Sequence, residues 1–313
     1  MSNIADDLIT LRDLLRYAVS RFTQSKLVFE QGTNNALDEA AFLLLWGLNL
    51  PIDQLDPFID ARLTRAEREK LLGIIEERIK HRKPAAYITG QAWIKSHRFI
   101  VDERVIIPRS YIGELLAGDA SILEAGGPVR SVLDLCTGCA CLAILAALAF
   151  PDAQVDAADL SSDALEVAKL NVADYEMSDQ VHLHQGDLFG PLRGKRYDLI
   201  VCNPPYVRDA AVARYAPEHA SEPLLAHAGG PDGLVIVRRI LAEAAQHLNP
   251  DGRLLVEVGY GQKTLAAERA DLPFLWLETE DSEGDMFLLN ACDLGAPVAS
   301  GAKGARSALK RGK

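Results

Sequence analysis

A chain of 313 residues that is 49% hydrophobic and 25% charged can fill two domains with apolar cores and needs no disulfide staples to fold. Its net charge of -11 argues against a basic surface that grips nucleic-acid phosphates; it fits a basic protein partner, or no more than solubility. The longest apolar run, residues 139–150, falls short of the ~20 residues of a membrane span. Asp6 and Asp7 stand where a secretion signal would be basic, and the five cysteines are odd in number, so a reducing cytoplasm is the expected home.

In chain order, Leu8, Leu11, Leu14, Leu15, Ala18, Val19 and Phe22 recur every three or four positions, which predicts an amphipathic helix over 8–22. Further helices are expected over 38–46 and 64–80, the second opening on Thr64 and Glu67 in capping-box spacing. Residues 1–83 read as a small helical domain, the candidate for substrate recognition. Past Pro84, short strands over 86–91, 93–101 and 104–107, broken at Gly90 and Asp102, predict a β-hairpin connector spanning 84–109.

A helix over 110–124 precedes the breakers Gly126, Gly127 and Pro128. Strands are then expected at 131–135, 154–159, 180–185, 197–202, 253–258, 274–278 and 286–290. Helices at 139–150, 162–173, 234–247 and 262–269 fit between most of them. Such alternation predicts an α/β domain over 110–298 with a doubly wound, mostly parallel, seven-stranded sheet. Residues 299–313, with Lys303, Arg306, Lys310, Arg311 and Lys313 and no acid, read as a disordered basic tail, either merely solvated or weakly drawn to ribosomal RNA or an acidic partner.

The candidate site residues stand at successive strand ends. The first strand runs into Asp134, Cys136, Thr137, Gly138, Cys139 and Ala140 and then a helix, where a nucleotide-like cofactor meets a doubly wound sheet; a plain strand-to-helix turn is the competing reading. Asp159 lies 21 positions after Gly138, near the ~20-residue offset at which a carboxylate meets both ribose hydroxyls, though a helix cap before Ser161 reads equally well locally. Asp187 and Leu188 could meet the amino edge and face of an adenine. Asn203, Pro204, Pro205 and Tyr206 follow an apolar strand. There the two prolines stiffen the backbone, so that the Asn203 side-chain oxygen and the Pro204 carbonyl form a pair of acceptors for a planar NH2 group beside an aromatic wall.

These residues resemble the motif of methyltransferases acting on exocyclic or amide NH2 groups, and nearly the whole chain is similar to the protein-(glutamine-N5) methyltransferase family. The likeness is carried by Pro84, Ala86, Tyr87 and Gly90, by Ile107 to Arg109, by Asp134 to Cys141, by Asp159 to Ala164, by Asn203 to Tyr206, by Glu222 with Pro223, and by Gly230 to Leu234. It implies a methyltransferase sheet, S-adenosylmethionine as cofactor, catalytic roles for Asn203, Pro204, Pro205 and Tyr206, cofactor contacts from the strand-end residues and Asn203, and no metal. Ser110, Tyr111, Ile112, Gly113, Glu114 and Leu115 after Ile-Pro-Arg resemble the branch that modifies large-subunit ribosomal protein three; the release-factor branch usually has Pro and then Thr-Glu there. Cys139 and Ala140 depart from the glycine-rich form of the first turn. A methyltransferase of nucleic-acid bases, and an assembly factor whose site has decayed, are the rival readings. Cys136 with Cys139 also has CxxC redox or zinc spacing, and His182 and His184 share one side of a strand; neither pair has a second cluster beside it in sequence.

Overall fold

The structure, a computed structural model, describes residues 4–279 and 282–295; the basic stretch 299–313 lies outside the described residues. Helices Leu11–Gln24, Ala36–Gly47 and Arg65–His81 pack Leu11, Leu14, Phe22, Leu43, Leu44, Leu71 and Ile75 into one core. Thr10 and Asp13 form a capping box, so this helix starts at Leu11 and not at Leu8; Thr64 and Glu67 form the expected one on the third.

The connector departs from expectation. Most of the strand expected over 86–91 is instead part of a short helix, Ala85–Thr89, entered from Pro84 at φ -54 and closed at Gly90. Burial of Ala85, Ala86 and Tyr87, with the Tyr87 hydroxyl donating to the Val105 carbonyl at 2.5 Å, outweighs the strand preference of Ile88 and Thr89. The hairpin lies wholly within the next residues: β1 (Gln91–Ile94) pairs antiparallel with β2 (His97–Ile100). Residues 104–107 join no ladder, and the Ile107 N–H instead donates to Glu222. The helix expected over 110–124 ends at Gly118, leaving Tyr111–Ala117 and a 3-10 turn Ser121–Glu124.

Seven strands follow: β3 (Ser131–Leu135), β4 (Gln154–Asp159), β5 (Val181–Gln185), β6 (Tyr197–Cys202), β7 (Leu248–Glu257), β8 (Leu275–Thr279) and β9 (Ser282–Asn290). They form one sheet in the order β5-β4-β3-β6-β7-β9-β8, parallel from β5 to β7, with β9 antiparallel between β7 and β8. Val132 faces a core shared with helices Cys141–Ala149 and Ser162–Asp174, whereas Leu133 and Leu135 face one shared with Val235–His247. Covering both faces explains why the central strands read as unbroken apolar runs. The order turns at β3, and a crevice opens there at the carboxyl ends of β3, β4 and β6.

Candidate active site

A cavity of about 540 Å³ occupies this crevice, lined by Cys136, Gly138, Asp159, Asp187, Leu188 and all of Asn203 to Tyr206. That volume is in the range of small-molecule sites. Residues from four separate strand ends therefore meet in one space, and so do Glu30 from the helical domain and Glu103 to Ile106 from the connector.

The first turn is built on buried Asp134. Its Oδ2 accepts from the Thr137 hydroxyl at 2.5 Å and from the Ala143 N–H at 3.0 Å, closing the turn onto the start of helix Cys141–Ala149. Burial pushes this carboxyl up to about 7, against the pull of those two donors. Asp134 does not line the cavity, so it shapes the turn from beneath. Cys136, Gly138 and Ala140 all have positive φ, at 57°, 57° and 66°. Ala140 is fully buried and also lines no cavity. The left-handed backbone at this position, where a Cβ is strained, by itself favours glycine. We expect Ala140→Gly to leave cofactor affinity unchanged and to shift stability by no more than about 1 kcal/mol, because relief of strain is offset by a freer unfolded chain; calorimetry and urea melts check both.

Asp159 receives the Gly138 N–H on one oxygen and the Ser161 N–H on the other, each at 2.8 Å. Burial raises its carboxyl, and these backbone donors pull it back. Lone pairs remain on both oxygens for two hydroxyl donors, which suits a ribose. Leu188 is buried at φ 47° and offers an apolar face, while Asp187 on the rim is tied to Arg239 at 2.7 Å. Thr137 and Cys139 line a small recess beside the main cavity, with Asn203 at its border. An adenosine-bearing sulfonium cofactor fits this set of a carboxylate, a bare glycine turn and an apolar wall.

The Asn203 to Tyr206 loop is held from behind. A Cβ on Gly233 would overlap the Tyr206 carbonyl oxygen, and one on Gly259 would lie 2.8 Å from the Tyr206 ring, so only glycine lets these loops close on it. Asp232 braces the first of them by accepting from the Leu234 N–H at 3.1 Å and pairing with Arg238. Burial pushes the Tyr206 phenol above its usual range. Asn203 Nδ2 donates to the Arg109 carbonyl at 3.4 Å, which directs its amide oxygen the other way.

Glu222 and Arg109 fit a family pattern in the sequence that gives them no place in the site. Glu222 is fully buried as a side chain and takes both arms of the Arg109 guanidinium at 2.7 and 2.9 Å. Burial alone would raise its carboxyl, yet the approach of His227 Nε2 to 3.3 Å and the two Arg109 hydrogen bonds hold it well below the usual carboxylate range. Tyr215 and His219, stacked at 4.3 Å, complete the cavity wall near Glu30 and were not foreseen at all.

Cys136 and Cys139 do not face each other as a CxxC pair: Cys136 neighbours Cys202, and Cys139 neighbours Cys141. All five thiols are free, and among the described residues no group of His, Cys, Asp and Glu could hold a metal ion. His184 does have an acidic partner, Asp156, at 2.6 Å, and His182 bonds Gln154. Both lie away from the cavity.

A family model for the methyltransferase small domain matches residues 120–224. A ribosomal protein uL3 glutamine methyltransferase of Bradyrhizobium diazoefficiens is 51% identical over 295 residues, covering 92% of each chain. That of Bordetella pertussis is 52% identical over 289 residues, covering 92% of this chain and 97% of its own. That of Neisseria meningitidis is 52% identical over 286 residues, covering 91% and 94%.

Proposed function

Because this chain belongs to the family of ribosomal protein uL3 glutamine methyltransferases, we propose that its Asn203 to Tyr206 loop seats the side-chain amide of a glutamine of uL3 in the cavity described above. The chain is an S-adenosylmethionine-dependent methyltransferase, and the donor when bound supplies a methyl group on a positively charged sulfur. We assign its ribose to Asp159, its methionine end to the Cys136 to Cys139 turn, and its adenine to Leu188 and Asp187. Asp134 and Ala140 act on it only through the shape of the turn.

An amide nitrogen is a weak nucleophile, because its lone pair is shared with the carbonyl. The Asn203 oxygen and the Pro204 carbonyl accept its two N–H bonds, hold the nitrogen in place and favour its rehybridisation. As positive charge grows on nitrogen, the same oxygens stabilise it. Alignment of this kind can be worth roughly 7 to 11 kcal/mol in favourable cases. No dedicated base is needed before transfer, since the alkylated amide is strongly acidic. Tyr206 walls the amide in.

Residues 1–83 serve in this reading as the substrate-recognition domain. Its support is that Glu30 lines the cavity while Gln31 Nε2 donates to Glu222 at 3.3 Å. A net charge of -11 steers a basic ribosomal protein toward the mouth. The reaction belongs in the cytoplasm, on uL3 that is free or assembling, because a glutamine must extend into the cleft. No helix among the described residues is long and apolar enough to cross a membrane. The observation that supports the reading is that Asn203, Pro204 and Asp159 line one cavity. Radiolabelled methyl transfer offered in parallel to free uL3, a class I release factor, mature ribosomes and single-stranded DNA is expected to label a glutamine of free uL3. Preferential labelling of the release factor or of DNA would overturn the substrate assignment, and absence of any transfer would favour a decayed enzyme.

A further inference from the structure

We propose that Glu222 is the positioning residue that decides which end of the Asn203 side-chain amide faces the cavity, a role that rests on the reading of Asn203 given above. The two ends of an asparagine amide have nearly the same shape and opposite polarity. With the oxygen toward the substrate it accepts an N–H; with the NH2 turned round it would meet the NH2 of the glutamine donor against donor. What separates the two orientations here is the Arg109 carbonyl, which takes Asn203 Nδ2 at 3.4 Å. The carbonyl stays in place through Glu222. Its carboxylate holds the Arg109 guanidinium at 2.7 and 2.9 Å and the Ile107 N–H at 3.0 Å, while Arg109 closes back on the Ile107 carbonyl at 3.1 Å.

Two further groups converge on the same carboxylate. Gln31 reaches it at 3.3 Å from the helical domain, and His227 Nε2 lies 3.3 Å away on the segment whose carbonyl receives the Val207 N–H just past Tyr206. One buried anion therefore gathers the helical domain, the connector and the loop after the catalytic residues. A carboxylate is required because it accepts at both oxygens and donates at neither; a glutamine there would turn one N–H against this ring of donors.

The experiment compares Glu222→Gln in the parent and in an Asn203→Asp background, with free uL3 as substrate. A carboxylate at 203 has two equivalent acceptor ends and needs no orientation. In the parent, kcat should fall about tenfold or more, with the cofactor Kd held within about twofold. In the Asn203→Asp background the same change should cost less than about threefold, the non-additivity expected of groups that act through one another. A purely structural role would give the same factor in both backgrounds, and that result overturns the proposal, as does an unchanged kcat in the parent. If Glu222→Gln does not fold, Arg109→Lys, which keeps the charge and loses the two-armed grip, takes its place under the same criteria. A readout without turnover is the nitrogen-15 spectrum of asparagine side-chain amides, in which the Asn203 NH2 signal should move in the variant; a stationary signal sinks the assignment. A parent that binds uL3 without methylating it would remove the functional reading and leave this spectrum to decide the role of Glu222.

Discussion

Replacing Asn203 by alanine is expected to lower kcat for uL3 by about 10²- to 10³-fold, the usual scale of removing one preorganised polar group at a reacting centre. Cofactor affinity should stay close to that of the parent, because the ribose is assigned to Asp159, which the Gly138 and Ser161 N–H groups hold without help from Asn203. Single-turnover kinetics with calorimetry of the cofactor separates the two. Should affinity collapse together with turnover, Asn203 would be a ligand of the cofactor and the pair of amide acceptors would be lost. Pro204 supplies the second acceptor from its backbone, so some orientation survives the substitution, and residual activity above background is part of the expected result.

A second large effect is expected far from the chemistry. Arg78 is completely buried, with Nε on Glu39 at 2.6 Å, Nη2 on the Val28 carbonyl at 3.0 Å and Nη1 3.6 Å from Glu218, itself fully buried. Burial raises the Glu39 carboxyl despite the arginine charge beside it. Arg78→Ala would strand two carboxylates, with Arg82 at 3.4 Å from Glu218 as the nearest remaining cation there. The loss of one partner from a buried ion pair typically costs about 3 to 5 kcal/mol. Urea denaturation followed by circular dichroism measures it, and a loss below about 1 kcal/mol would mean that water or a shifted lysine enters in its place. Since Glu218 also takes the Val28 N–H at 3.1 Å, the variant should loosen the 28–31 segment that brings Glu30 to the cavity.

The strands were legible because each central one is covered on both faces, and Val132 to Leu135 or Leu199 to Cys202 can then hardly be anything but buried sheet. Asp159 and Asn203 were legible for a related reason: a polar side chain at the end of such a strand points at the crevice. The connector was not, since Ile88 and Thr89 carry strand preference and nothing local announces that Tyr87 will find the Val105 carbonyl. Asp134 was placed in the site by its position but lies under it, a distinction set by Thr137 and Ala143 folding back over its carboxylate. Glu222 and Glu218 escaped altogether as functional groups. Their partners at 28, 31, 78, 107 and 109 are more than a hundred positions away, and no window of sequence contains both halves of such a bond.

The glycines behind Tyr206 bear on how mutational data for such a chain would read. Gly233 and Gly259 do not line the cavity, yet any side chain at either position meets Tyr206, by its carbonyl in one case and its ring in the other. In a saturation screen scored by methylation both would rank with Asn203 as intolerant, and all nineteen replacements would fail alike. Asn203 would differ by accepting aspartate in part. The spectrum of tolerated residues, more than the depth of the loss, therefore distinguishes a position that makes contact with the reacting amide from one that supplies the mould around it.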